Sequence, residues 1–132
     1  MEIKVGEYVR TNQGYIAKLE DIDKEFMYFD NVIMCYYEET KLLPINVEIL
    51  DGTFLKAEDY ITKHSFNIAE ILEEDDYVNG MRVSYVRFPN DPYEPTEIYV
   101  LDKHINFIFA SDIKSVVTHE QMEAMEYVIK EG

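Results

Sequence analysis

Residues 73–80, EEDDYVNG, decide how this 132-residue chain divides. Four acids, Glu73, Glu74, Asp75 and Asp76, run straight into the β-forming pair Tyr77-Val78. A strand is reached through a turn and a block of charge stays in water, so the phrase reads as a junction. The chain begins with a related phrase, VGEYVRT at 5–11, in which Gly6-Glu7 precede Tyr8-Val9. Gly80 follows the second phrase as Gly14 follows the first. The ends correspond too: LKAEDYIT (55–62) and IFASDIKS (108–115) share an alanine, an aspartate two residues on, and then an apolar residue. Beginning and end repeat while the middles differ in length, which points to two related strand-turn-strand units. The alternative is coincidence among short β-rich phrases.

Between these markers the pattern is mostly β. EYVRT (7–11) reads as a strand, Asn12-Gln13-Gly14 as a tight turn tolerant of positive φ, and 15–19 as the returning strand. Strand, short glycine turn and strand is how a small SH3-like barrel begins. EDIDKEF (20–26) is a charged connection, followed by a hairpin of 26–29 and 32–37 around Asp30-Asn31. Pro44 interrupts LLPINVEIL, so the next strand is expected to start at Asn46 and to return through Asp51-Gly52 to 53–55. AEDYITKHS (57–65) is expected to leave the sheet. MRVSYVRF (81–88) alternates, placing Met81, Val83, Tyr85 and Arg87 on one face. Prolines 92 and 95 stiffen the loop that follows, and EIYVLD and INFIFA form a last hairpin around Lys103-His104.

Two helical segments complete the reading. Asn67 with Glu70 three residues later is an N-cap pattern, so 65–72 is a short linking helix. The acidic run lies at its carboxyl end, where the macrodipole disfavours negative charge and helps to end it. Thr118 and Gln121 form a capping-box pair ahead of HEQMEAMEYVIK, in which Met122, Met125 and Ile129 make one apolar stripe. The expected fold is mainly β (α+β): two small SH3-like β-barrel units in tandem, 1–64 and 73–118, a linking helix at 65–72, and a terminal helix at 119–132 packed on the barrels.

Composition bounds the function. An apolar fraction of 47% is enough to build a core despite the charge. The net charge of −15 repels phosphate backbones and anionic membrane surfaces, and it favours encounter with basic proteins. Negative charge also serves solubility, and that plainer account stands beside the first. No apolar run approaches the roughly 20 residues that cross a bilayer, no signal sequence is evident, and the lone Cys35 suits a reducing cytosol. A cytoplasmic protein is expected.

Catalytic and metal motifs are missing from the sequence. His64, His104 and His119 have no ligand partner at motif spacing, and HEQME places Glu123 where a zinc-protease helix needs its second histidine. Asp21, Asp23 and Glu25 form a D-x-D-x-E run, but Phe26 occupies the position where a calcium loop needs glycine, so a charged hairpin loop accounts for it. The eleven tyrosines lack the basic groove of a nucleic-acid stacking platform and are expected to cover core with their hydroxyls in water. A non-enzymatic protein without cofactor or metal is expected.

Three phrases together, VGEYVRTNQGYIAKLEDID, HSFNIAEILEEDDYVNGMRV and DIKSVVTHEQMEAMEY, are similar to a family of small uncharacterised proteins of phages and prophages of Firmicutes. That family shows a GDYVRT-like start, a DYVNG centre and an IKSIVTxEQ end. Asp75 stands where the family usually has glycine, and 26–37 and 89–95 are less typical. The resemblance implies a host-directed role, in the bacterial cytoplasm. Small acidic phage proteins often inhibit host machinery, including anti-CRISPR proteins that fill the positive DNA channel of a Cas9-type nuclease as DNA mimics. The partner expected is a host protein with a basic nucleic-acid-binding surface. The candidate contacts are Glu73, Glu74, Asp75, Asp76, Asp21, Asp23, Glu25, Asp91 and Glu94. The alternative is a structural or adaptor module of phage development without inhibitory activity. Net charge disfavours a nucleotide sponge, because anionic ligands need a basic pocket and Arg10, Arg82 and Arg87 are the only arginines.

Overall fold

The computed structural model describes residues 3–22, 26–30, 34–38, 43–48, 54–56 and 60–125. The chain is mainly β, with two antiparallel sheets and a short helix, and it divides into two compact units, Met1–Ile71 and Leu72–Gly132. The first unit carries β1 (Tyr8–Thr11), β2 (Ile16–Ile22), β3 (Phe26–Phe29), β4 (Met34–Glu38), β5 (Leu43–Glu48), β6 (Phe54–Lys56) and β7 (Ile61–Ser65). Their order in the sheet is β6-β5-β4-β3-β2-β1-β7. The second unit carries β8 (Tyr77–Val78), β9 (Met81–Arg87), β10 (Glu97–Leu101), β11 (Phe107–Phe109) and β12 (Val116–Val117), in the order β11-β10-β9-β8-β12. Both sheets are meanders whose last strand returns beside the first.

The resemblance between the two openings extends to individual hydrogen bonds. In the first unit Gly6 N–H donates to Leu19 O at 2.8 Å, and Leu19 N–H donates to Glu7 O at 2.9 Å. In the second, Asp75 N–H donates to Val83 O at 3.0 Å, and Val83 N–H donates to Asp76 O at 2.7 Å. Gly6 has φ 97° and Asp75 has φ 74°, so both openings turn through a left-handed residue. That conformation explains why glycine suits position 75: an aspartate adopts it at some cost, a glycine at none. Asn12 N–H reaches Tyr60 O, just before β7, and Asn79 N–H reaches Ser115 O, just before β12. The hairpin turns differ. Gly14 alone is left-handed in the first (φ 83°), whereas Asn79 (φ 50°) and Gly80 (φ 79°) form a two-residue type I′ turn in the second.

Several expectations are corrected. Among the described residues neither sheet closes into an SH3-like barrel: β3, β4, β5 and β6 add outward in a meander, leaving β6 and β7 at the two edges. Residues 61–65 do not leave the sheet but form β7 against β1, with Ile61 buried in the core. Pro44 lies inside β5 rather than ahead of it. The register slips there, from Tyr36↔Asn46 to Tyr37↔Pro44, and such an irregularity accommodates a residue without an N–H. The linking segment is a single 3₁₀ turn, Ile68–Ile71, capped by Asn67 Oδ1, which accepts from Ala69 N–H at 3.0 Å.

The helix α1 (His119–Met125) begins as its sequence predicts. Thr118 N–H donates to Gln121 Oε1 at 3.0 Å, and Gln121 N–H donates to Thr118 Oγ1 at 3.3 Å. Its stripe is not core, however: Met125 is 78% exposed and Met122 is exposed too. Ile129 lies outside the described residues.

The first unit's core gathers Ile3, Val9, Ala17, Leu19, Met27, Phe29, Tyr60 and Ile61. Arg10 is buried in the same strand and donates from Nη1 to the Ile71 carbonyl at 3.0 Å. In the second unit Val78, Val83, Ile98 and Val100 are buried. Here the simple alternation of β9 fails. Tyr85 pairs with Tyr99 and Val83 with Val100, so Ser84 is an extra residue in the ladder. This bulge turns Val83 inward but Tyr85 and Arg87 outward.

Candidate functional site

The acidic run is built into the fold rather than displayed whole. Asp76 is fully buried, and its Oδ2 accepts from Glu73 N–H at 2.7 Å while Oδ1 accepts from His119 N–H at 2.9 Å. The first unit has the counterpart: buried Glu7 accepts from Lys4 N–H through Oε2 at 2.6 Å and sets Oε1 3.0 Å from His64 Nδ1. In each opening the acid before the Tyr-Val pair folds back on the residue three before it, then reaches a residue late in its own unit. Asp75 Oδ1 accepts from Arg82 Nε at 2.8 Å and pairs with Nη2 at 2.7 Å. That hydrogen bond, and then the charge of Asp75, raises the Arg82 guanidinium further above its ordinary value. Glu74 is exposed.

The other expected contact residues are scattered. Asp21 is exposed on β2, where its Oδ1 accepts from the next N–H, that of Ile22, at 2.9 Å. Asp23 and Glu25 lie outside the described residues. Asp91 and Glu94 are exposed in the loop between β9 and β10; Asp91 Oδ1 accepts from Tyr93 N–H at 2.9 Å, which holds the loop in shape.

Two groupings escaped the sequence. His119, the first residue of α1, has Nε2 at 2.9 Å from Glu73 Oε1 and 2.5 Å from Glu120 Oε1, and Nδ1 at 3.7 Å from Glu123 Oε1. The ligand atoms of Glu73, His119 and Glu120 lie within 4.8 Å of one another, so the three could hold a divalent ion. A protonated imidazole satisfies both carboxylates as well. Glu73 is 46 residues from His119, so no spacing motif could show the cluster.

The second grouping is aromatic. The Ser84 bulge sets Tyr85 over Tyr99, with ring centroids 4.4 Å apart and planes within 8°. Tyr99 meets Phe107 at 5.4 Å, and Phe107 meets Phe109 edge-on at 5.5 Å. Tyr85 is 54% exposed, Phe107 37% and Phe109 39%, so a tyrosine expected to cover core joins two phenylalanines on the open side of the sheet. Arg87 pairs with Glu97 on this side, and Tyr99 OH lies 3.4 Å from Glu97 Oε2. Partial desolvation first, then the Glu97 charge, raises the Tyr99 phenol above its ordinary value.

No helix among the described residues is long and apolar enough to cross a membrane. No protein-family model, curated protein or solved structure matches the chain.

Proposed function

We propose that the chain is a non-enzymatic acidic protein that binds a basic, nucleic-acid-handling host protein. In its sharpest form it inhibits a Cas9-type nuclease by occupying the surface that DNA would take. The resemblance of its three phrases to phage and prophage proteins supports a host-directed role. The observation that carries the charge argument is the state of the arginines. Arg82 and Arg87 are each tied to a carboxylate of their own unit, and Arg10 is buried. The second unit holds 13 Asp and Glu against 5 Lys and Arg, so little free positive charge offsets its acids.

Such a surface attracts a positive channel over a distance and competes with phosphates for it. The acids that face water for this purpose are Glu74, Asp91 and Glu94 in the second unit and Glu20 and Asp21 in the first. Asp76 is a fold residue and contributes field only. The test is DNA binding and cleavage by a purified Cas9-type nuclease, with the chain added before or after DNA, over a salt series. Inhibition that is stronger when the chain precedes DNA, and that fades with salt, supports the proposal. Unchanged cleavage together with no complex at low salt overturns its sharp form.

A further inference from the structure

We infer that the open face of β9, β10 and β11 is the docking surface for an extended, arginine-bearing segment of the basic partner, an inference that rests on the function proposed above. Four rings, those of Tyr85, Tyr99, Phe107 and Phe109, form one continuous row there. A contiguous apolar row open to water marks an interaction surface, and aromatic rings are the side chains that interfaces favour. The row is also created by a specific device. Were Ser84 paired in regular register instead of bulged, Tyr85 would fall on the same side as Val83, inside the unit.

The edge of the sheet sets the shape of the ligand. Val100 N–H donates to Asn106 O and Ala110 N–H to Thr96 O, so residues 106, 108 and 110 face β10. The backbone of Phe107 and Phe109 therefore points away from it. Among the described residues β11 is the outer strand of this sheet. One outward donor, Phe109 N–H, is turned toward Asp112 Oδ2 at 3.3 Å; among the described residues the outward groups of Phe107 meet no hydrogen-bond partner. An extended segment added along this edge gains main-chain hydrogen bonds and lays alternate side chains over the rings.

Charge selects the side chains. The planar guanidinium of arginine stacks on tyrosine and phenylalanine faces and pairs with carboxylates. The chain's own Arg87 already makes such a pair on this face, with Glu97 beside Tyr99. Glu94 adds negative field at Arg87, and Asp102 and Asp112 lie at the two ends of β11's connections. A second copy of the chain would bring like charge against like, and a nucleic acid would bring phosphate.

The experiment titrates the full chain at low salt with a synthetic peptide alternating arginine and threonine, beside the same peptide carrying glutamate for arginine, and follows amide and ring resonances. The arginine peptide is expected to shift Tyr85, Tyr99, Phe107 and Phe109, and the glutamate peptide to shift none of them. Tyr85→Thr and Phe107→Thr are each expected to weaken binding about tenfold or more, the loss typical of a central aromatic anchor. Undiminished binding to both variants overturns the docking surface while leaving the attraction to basic proteins intact. No binding by the unaltered chain removes that attraction and the docking surface with it. Self-association that Phe107→Thr abolishes shows the face to be a contact between copies, and likewise overturns the inference. Should a variant fail to fold, the map on the unaltered chain decides: shifts that avoid these four residues refute it.

Discussion

The buried carboxylate of Asp76 accepts the backbone N–H of His119 at 2.9 Å across 43 residues, while its other oxygen holds the N–H of Glu73. One side chain thus fastens the turn that opens the second unit to the first residue of its helix. Removing it strands two part-buried donors, each costing up to about 1–3 kcal/mol. Asp76→Ala is therefore expected to lower the unfolding free energy by about 2–5 kcal/mol, measured by urea denaturation. Asp76→Asn, which keeps one acceptor oxygen, should lose less. Equal stability of all three proteins would contradict the assignment.

Asp75 is the next test, because it holds a left-handed backbone while pairing with Arg82. Relief of that backbone is worth about 1 kcal/mol, and an exposed, salt-screened pair contributes little. Asp75→Gly is expected to leave the melting temperature unchanged or raise it by a few degrees. A clear fall would mean that the Arg82 pair outweighs the backbone.

Arg10 is buried, and its guanidinium donates to the Ile71 carbonyl from within β1. Arg10→Ala leaves both a cavity and an unpaired carbonyl, so a loss of about 3–5 kcal/mol is expected. Thermal unfolding of the variant checks it. Loss of partner binding without loss of stability would instead make Arg10 a recognition residue.

Met125, at 78% exposed, should tolerate a charge. Met125→Asp is expected to change stability by no more than about 0.5 kcal/mol, as exposed substitutions do. A drop of several degrees in melting temperature would show that the helix face is covered.

The Tyr99 phenol is raised above its ordinary value of 10.0 by desolvation and by Glu97. The folded protein therefore keeps this proton longer than the unfolded chain does. The contribution to stability is complete below about pH 10, the unfolded value, and is lost as pH rises through the folded one. Ring-resonance titration should show Tyr99 ionising after a model tyrosine, and Tyr99→Phe should flatten the fall in stability above that pH.

Much of the fold was legible because it depends on local pattern. The Tyr8-Val9 and Tyr77-Val78 strands, the two hairpins of the second unit, and the Thr118–Gln121 cap all follow from neighbours a few residues apart. What was not legible depends on contacts between distant residues. Residues 61–65 become β7 because β1 offers an edge, and Pro44 enters β5 because the register slips opposite Tyr36-Tyr37. The candidate sites follow the same division. The acidic run announced itself by charge, but only the hydrogen bonds from Glu73 and His119 show Asp76 to be structural. The aromatic row depended on one bulge at Ser84, which no alternation pattern reveals.

The bond between Asp76 and His119 also bears on the order in which the chain is made. During synthesis the acidic turn emerges long before its second donor, which exists only once residue 119 of 132 has left the ribosome. Until then a carboxylate destined for burial stays in water, because an unpaired buried charge is costly. The closing contact spans most of the second unit, so loop closure precedes any reward from it. The first unit meets the same constraint sooner, since Glu7 waits only for His64. Its closing residues leave the ribosome while the second unit is still being built, so the partner that completes the first opening is available before the one that completes the second.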